Sequence, residues 1–176
     1  VTDKEEAASL FDEAAALWVN FHSFQARCTG AGFDEGDKYR FDHTGLIISI
    51  GLTPGFLDDV DPKLDCHVMA AAQYILHAGD AIDAACVKQQ LPSHRHHGWE
   101  GWADGKGPAV WKQWGARLAE IANAFESGGE LGFKLLDKNR DAVKDMVVKA
   151  RDKMIALEPE LFARPEPETA SESGPS

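Results

Sequence analysis

A chain of 176 residues with 29 acidic against 18 basic side chains, net charge -11, has the length of one domain whose core needs neither disulfide nor metal staple. The acidic excess argues against nucleic acid and anionic membrane surface as partners, since both call for clustered positive charge, and no apolar run approaches the ~20 residues that span a bilayer. Three cysteines, Cys28, Cys66 and Cys86, contain no Cys-x-x-Cys pair, so neither a disulfide framework nor a zinc knuckle is indicated, and with no signal-peptide pattern a reducing, cytoplasmic setting is expected.

Thr2-Asp3-Lys4-Glu5 reads as a capping box placed directly before an alanine-rich periodic run, which predicts a helix start. Ala7, Leu10, Ala14, Leu17, Phe21, Phe24 and Cys28 follow at spacings of three or four, one apolar stripe expected to face the core, and Gly30 and Gly32 end the helix. His22 lies beside that stripe on the Trp18/Gln25 flank, as a boundary histidine bonded to a neighbour or as a ligand.

Tyr39, His43, Leu46, Ile47 and Ile50 again have helical spacing, Gly51 to Gly55 reads as a turn, and Asp61-Pro62 sets up an N-cap followed by proline at the first helical position. The next helix is the most legible. Leu64, Val68, Ala71, Ile75, Ala78, Ile82 and Ala85 alternate spacings of four and three without a break. Its back face, with Cys66, Met69, Ala70, Gln73, His77, Asp80 and Ala84, is too apolar for an ordinary solvated surface, so the helix is expected to be covered on two sides. Gln73, His77 and Asp80 stand at i, i+4 and i+7. They form either a polar tie to a neighbouring helix or, through a histidine beside a carboxylate, an acid-base pair assisted by His22.

Leu91-Pro92 ends that helix, and a loop rich in histidine and tryptophan follows. His94, His96 and His97 offer nitrogen ligands to a metal, but a flexible His-x-His-His tract lacks the fixed spacing of an ordered site, and adventitious affinity is the alternative. Trp99 and Trp102 are anchors over the core or a contact patch for a partner, with Lys106 beside them. Gly105-Lys-Gly-Pro108 lacks the spacing and the hydroxyl of a phosphate loop. Pro108 opens a helix with the seam Trp111, Trp114, Leu118, Ile121 and Phe125, broken at Ser127-Gly-Gly129. After a segment over Leu131 to Leu136, Val143, Val147, Ala150, Met154 and Leu157 repeat the pattern, Pro159 closes the helix, and the end of the chain has the composition of a disordered acidic tail.

Four blocks together resemble a fungal all-helical family known as a domain of unknown function. They are Trp18 to Arg27, the alanine-rich Asp65 to Gly79, Gly105-Lys106 with Trp111, Trp114 and Arg117, and Ala150 with Met154 and Leu157. Pro108-Ala109 departs from the family pattern, which has an aromatic or aliphatic residue and then serine there, and no arginine directly precedes Trp111. The resemblance spans nearly all of Thr2 to Leu161, implies a fungal, helical, intracellular protein, and supplies no catalytic residues.

The expectation is therefore an all-α, single-domain bundle of about five helices, up-and-down-like, over residues 1–162, with a Trp/His-rich connecting loop and a tail over 163–176. Function is expected to be noncatalytic binding of a protein or small ligand through Trp99, Trp102, Lys106, Gln73 and His77, with no cofactor. The rival is a small metabolic enzyme using His77 and Asp80, helped by His22.

Overall fold

The computed structural model describes residues 3–33, 44, 47–49, 51–52, 64–88, 107–127 and 140–163. All of its regular structure is helical. Helix α1 spans Asp3–Gly30, α2 Leu64–Ile82, α3 Gly107–Ser127, α4 Arg140–Leu157 and the short α5 Pro159–Phe162. Between α1 and α2, Thr44, Ile47 to Ser49, Gly51 and Leu52 are also helical, so the chain stays helical two residues into the expected turn at Gly51.

The order of packing is α1 on α2, α2 on α4 and α4 on α3. Directions follow from cross-helix contacts. Trp18 stacks edge-on near His67 and Gly30 meets His77, so α1 and α2 run parallel. Gly51 lies against His67 and Ala71, which means the chain has travelled back along α2 before α2 itself begins. Gln73 meets Met146 and Leu76 meets Lys153, so α4 also runs parallel to α2. Glu126 pairs with Lys144 and Trp111 reaches Met154, so α3 is antiparallel to α4. Among the described helices, α1, α2 and α4 therefore run in one direction and α3 in the other.

The seams of α2, α3 and α4 are where the periodicity puts them. Val68, Ala71, Ile75, Ala78, Ile82 and Ala85 are buried, as are Trp111, Trp114, Leu118, Ile121, Val143, Val147, Ala150 and Met154. Ala70, Ala72 and Tyr74 are buried too, so α2 is covered on more than one side and forms the centre of the bundle. The large Trp111 and Trp114 side chains of α3 are fully buried in the same core cluster as the alanines of α2.

Helix α1 corrects the reading of its apolar stripe. Leu17 is 69% exposed, Phe21 53% and Phe24 66%, while the buried positions are Val19, His22, Ala26 and Thr29. Both rows have helical spacing. The row that packs is the one with small and hydrogen-bonding side chains, because α1 approaches α2 closely: a Cβ on Gly30 would stand 1.8 Å from the His77 carbonyl oxygen. The helix ends as its glycines predict. Gly32 has φ 77°, the Phe33 amide donates to the Cys28 carbonyl at 3.1 Å and the Gly32 amide to Thr29 at 3.1 Å, the two bonds of a Schellman motif.

The end of α2 is a second correction. The helix does not run unbroken through Ala85 but passes at Asp83–Val87 into a π turn, where the Lys88 amide donates to the Asp83 carbonyl at 3.0 Å. At the other end of the chain, Pro159 does close α4, yet it also opens α5, whose Phe162 ring packs onto Gly115 of α3.

Candidate functional site

The expected site residues separate into two groups. Trp99, Trp102, Lys106, His94, His96 and His97 lie outside the described residues. Gln73, His77, Asp80 and His22 lie within them, on or against α2.

Gln73 ties three helices together. Its Oε1 accepts from the Ser23 hydroxyl of α1 at 3.1 Å, and its Nε2 donates to the Met146 sulfur of α4 at 3.4 Å. One turn away His22 is fully buried, with its Nδ1 3.3 Å from the Tyr74 hydroxyl, which in turn donates to Gln25 at 3.1 Å. Trp18 packs edge-on against the His22 ring at 4.3 Å and Phe21 at 5.3 Å. The indole bridges onward toward His67, 5.7 Å away. His22 is thus held inside an aromatic and polar contact between α1 and α2, bonded to a neighbour.

His77 and Asp80 face different surroundings. Asp80 is 74% exposed and pairs with Lys153 of α4 at 2.6 Å, and that lysine also donates to the Leu76 carbonyl at 3.0 Å. The hydrogen bond from Lys153 holds the Asp80 carboxyl below its usual range. His77 is exposed, and desolvation, followed by the charges of Arg27 and Lys153, lowers its affinity for a proton. Gln73 and Asp80 are therefore each engaged by a different helix contact, and the lysine between α2 and α4 takes the carboxylate.

A cluster that the sequence reading did not single out lies at the π turn. Asp83, 2% exposed, accepts a hydrogen bond from the Lys88 ammonium, which also stands 3.1 Å from Oε1 of Glu158 at the α4–α5 break. Burial pushes the Asp83 carboxyl above its usual range and the Glu158 charge adds to this, while Lys88 pulls the other way. The available signal was an acid inside the otherwise uncharged run Ala81 to Val87, with a lysine five residues on, a spacing that α-helical geometry does not pair. Among the described residues no group of three or more His, Cys, Asp or Glu side chains is arranged to hold a metal ion, and no helix is long and apolar enough to cross a membrane.

Among the described residues, the large apolar side chains that stay exposed gather on and just after α1. Leu17, Phe21 and Phe24 stand in a row at i, i+4 and i+7, Trp18 is 38% exposed beside them, and Phe33, 80% exposed, follows the helix end. Single exposed apolar residues are common, but a contiguous row of aromatic side chains is not.

The sequence profile of one family, described as protein of unknown function (DUF3632), matches residues 1–118. The chain belongs to the DUF3632 family. The DUF3632 match takes in α1, α2 and α3 as far as Leu118, so it is shorter than the near-complete span that the resemblance led us to expect. Helix α4, which supplies Met146 and Lys153 to the contacts above, Glu158 at the break after it, and α5 lie beyond it. No curated protein and no solved structure matches the chain.

Proposed function

We propose that this DUF3632 chain is a noncatalytic interaction domain that takes up an amphipathic helix with basic flanks along the exposed row of α1. The observation that carries the reading is the solvent-facing line Leu17, Phe21 and Phe24, flanked by Trp18 and Phe33. Side chains at i, i+4 and i+7 on a rigid helix are the recognition pattern of helix-to-helix docking, in which an apolar face on the partner covers the row. Charge chooses the partner. Glu13 is exposed one turn before Leu17, and the net charge of -11 attracts cationic flanks while repelling a second copy of the same chain. Trp99 and Trp102 with Lys106, and Gln73 with His77, remain the companion contacts proposed for the same partner. The acid-base reading of His77 and Asp80 has less support, because the Asp80 carboxylate is already taken by Lys153.

The test uses the full chain and designed helical peptides with a leucine face, one flanked by lysine and one by glutamate, followed by fluorescence anisotropy. The lysine-flanked peptide is expected to bind, and Phe21→Ser with Phe24→Ser to weaken it by about a hundredfold, the range of two lost apolar anchors. The melting temperature should fall only slightly, since both rings are more than half exposed. Equal binding of both peptides, binding unaffected by the double substitution, or a large loss of stability each overturns the reading. Trp99→Ala with Trp102→Ala, measured in parallel, decides whether the loop contributes.

A further inference from the structure

The π turn at Asp83–Val87 and the ion cluster on it depend on each other. In an α-helix, residues five apart project about 140° from one another, whereas i→i+5 bonding brings them back onto one side. Lys88 folds back to Asp83 across this interval, so the ion pair and the Lys88-to-Asp83 backbone bond favour the same register. The same ammonium reaches Glu158, which couples the end of α2 to the break between α4 and α5. One cation therefore serves two carboxylates, one of them buried. The second oxygen of Asp83, Oδ1, accepts no hydrogen bond among the described residues. This leaves a site one positive charge short, with an unserved buried oxygen able to receive a proton.

We propose that Asp83, Lys88 and Glu158 form a proton-sensitive latch: with Asp83 ionised, Lys88 holds the last turn of α2 in π register and fastens it to the α4–α5 junction. Uptake of one proton from solvent on Oδ1 neutralises Asp83, leaves Lys88 to Glu158 alone, and lets the π turn open at its Lys88-to-Asp83 backbone bond. The surroundings of Asp83 favour this proton over one on an exposed carboxylate, since burial and Glu158 outweigh the pull of Lys88. Other charges near the turn are otherwise engaged or distant in role. Asp80 of α2 is held by Lys153 of α4. On α3, which also packs against the turn, Arg117 pairs with Glu120 at 2.8 Å and Glu126 with Lys144 at 3.8 Å, and Lys112 is exposed.

Two readouts on the full chain test the latch: the carboxyl carbon shift of Asp83 against pH, and hydrogen exchange at the Lys88 amide, with the Ile121 amide of the α3 core as reference. In the wild type, Asp83 should titrate above the ordinary ~3.9 of an aspartate, and Lys88 amide protection should fall about tenfold over that same titration while Ile121 stays protected. Asp83→Asn should show the low-pH exchange pattern of Lys88 at every pH, and Glu158→Gln should lower the Asp83 titration point. Should Asp83→Asn fail to fold, the wild-type and Glu158→Gln titrations decide. Titration of Asp83 at or below the ordinary value, Lys88 protection in Asp83→Asn equal to that of the ionised wild type, or simultaneous loss at Lys88 and Ile121 overturns the proposal.

Discussion

Gly30 at the end of α1 lies directly on the carbonyl of His77 in α2, near enough that a Cβ at residue 30 would be 1.8 Å from the oxygen and 2.9 Å from its carbon. Both contacting groups are backbone, so neither yields without moving a helix. This crossing fixes how deeply α1 sits and therefore which of its rows is buried.

Gly30→Ala should accordingly be among the most harmful small substitutions in the chain, at about 3 kcal/mol, the upper end of overpacking losses. Urea denaturation measures it directly. A loss below about 0.5 kcal/mol, as for an ordinary surface site, would show that the helices separate freely there.

Gly115 offers the contrast, because what a Cβ would meet there is the edge of a side chain, Cε1 of Phe162 at 2.3 Å. A ring at the end of the half-buried α5 can swing away. Gly115→Ala should cost about 1 kcal/mol in the wild type and become neutral or stabilising in a Phe162→Ala background, where only the helix preference of alanine over glycine, about 1 kcal/mol, remains. A double-mutant cycle with no coupling between the two sites would remove Phe162 as the obstacle.

His77 sets a pH dependence whose sign is fixed by its surroundings. Burial, Arg27 and Lys153 lower its folded-state value below the 6.5 of the free side chain, so the unfolded chain takes up the proton first. The associated stability is fully present above that value and declines as pH falls from it through the folded value. His77→Gln should flatten this decline, seen as a smaller difference in urea midpoint between about pH 7.5 and about pH 5.0. An unchanged difference would assign the decline to other groups.

Asp80 and Lys153 should prove unequal partners. Asp80 is mostly exposed, so Asp80→Asn is expected to cost no more than about 1 kcal/mol, fading in high salt. Since the folded value of Asp80 is lowered, what it contributes is present above 3.8 and disappears as pH falls through the folded value. Lys153→Met also removes the hydrogen bond to the Leu76 carbonyl and should cost about 1 kcal/mol more. Equal losses for the two substitutions would mean that the ion pair, not the backbone contact, joins α2 to α4.

Much of this architecture can be read without coordinates. On α2, α3 and α4 a single apolar row repeats at three and four, and burial is what removes it from water, so spacing alone assigns the rows Val68 to Ala85, Trp111 to Ile121 and Val143 to Met154 to the core, where they lie. Gly32 was likewise legible as a helix stop, since its left-handed conformation suits glycine. Gln73, His77 and Asp80 share one side of α2 by their spacing, but spacing does not say which neighbour each finds.

Helix α1 marks where sequence stops being sufficient. It carries two rows of helical period, the greasier Leu17, Phe21, Phe24 and the smaller Val19, His22, Ala26, and hydrophobicity alone selects the first. Tertiary structure selects the second, because Ala26 and Gly30 permit close approach to α2 and His22 finds the Tyr74 hydroxyl, matches that exist only between two surfaces. The π turn is of the same kind: the bond from Lys88 to Asp83 is local, but its value depends on Glu158 arriving from the far end of the chain. The amino-acid order alone determined which stretches coil into helices, since that is settled within a few turns. Which face each helix hides, and which charges meet, was decided only when distant segments met, because complementarity is a property of pairs.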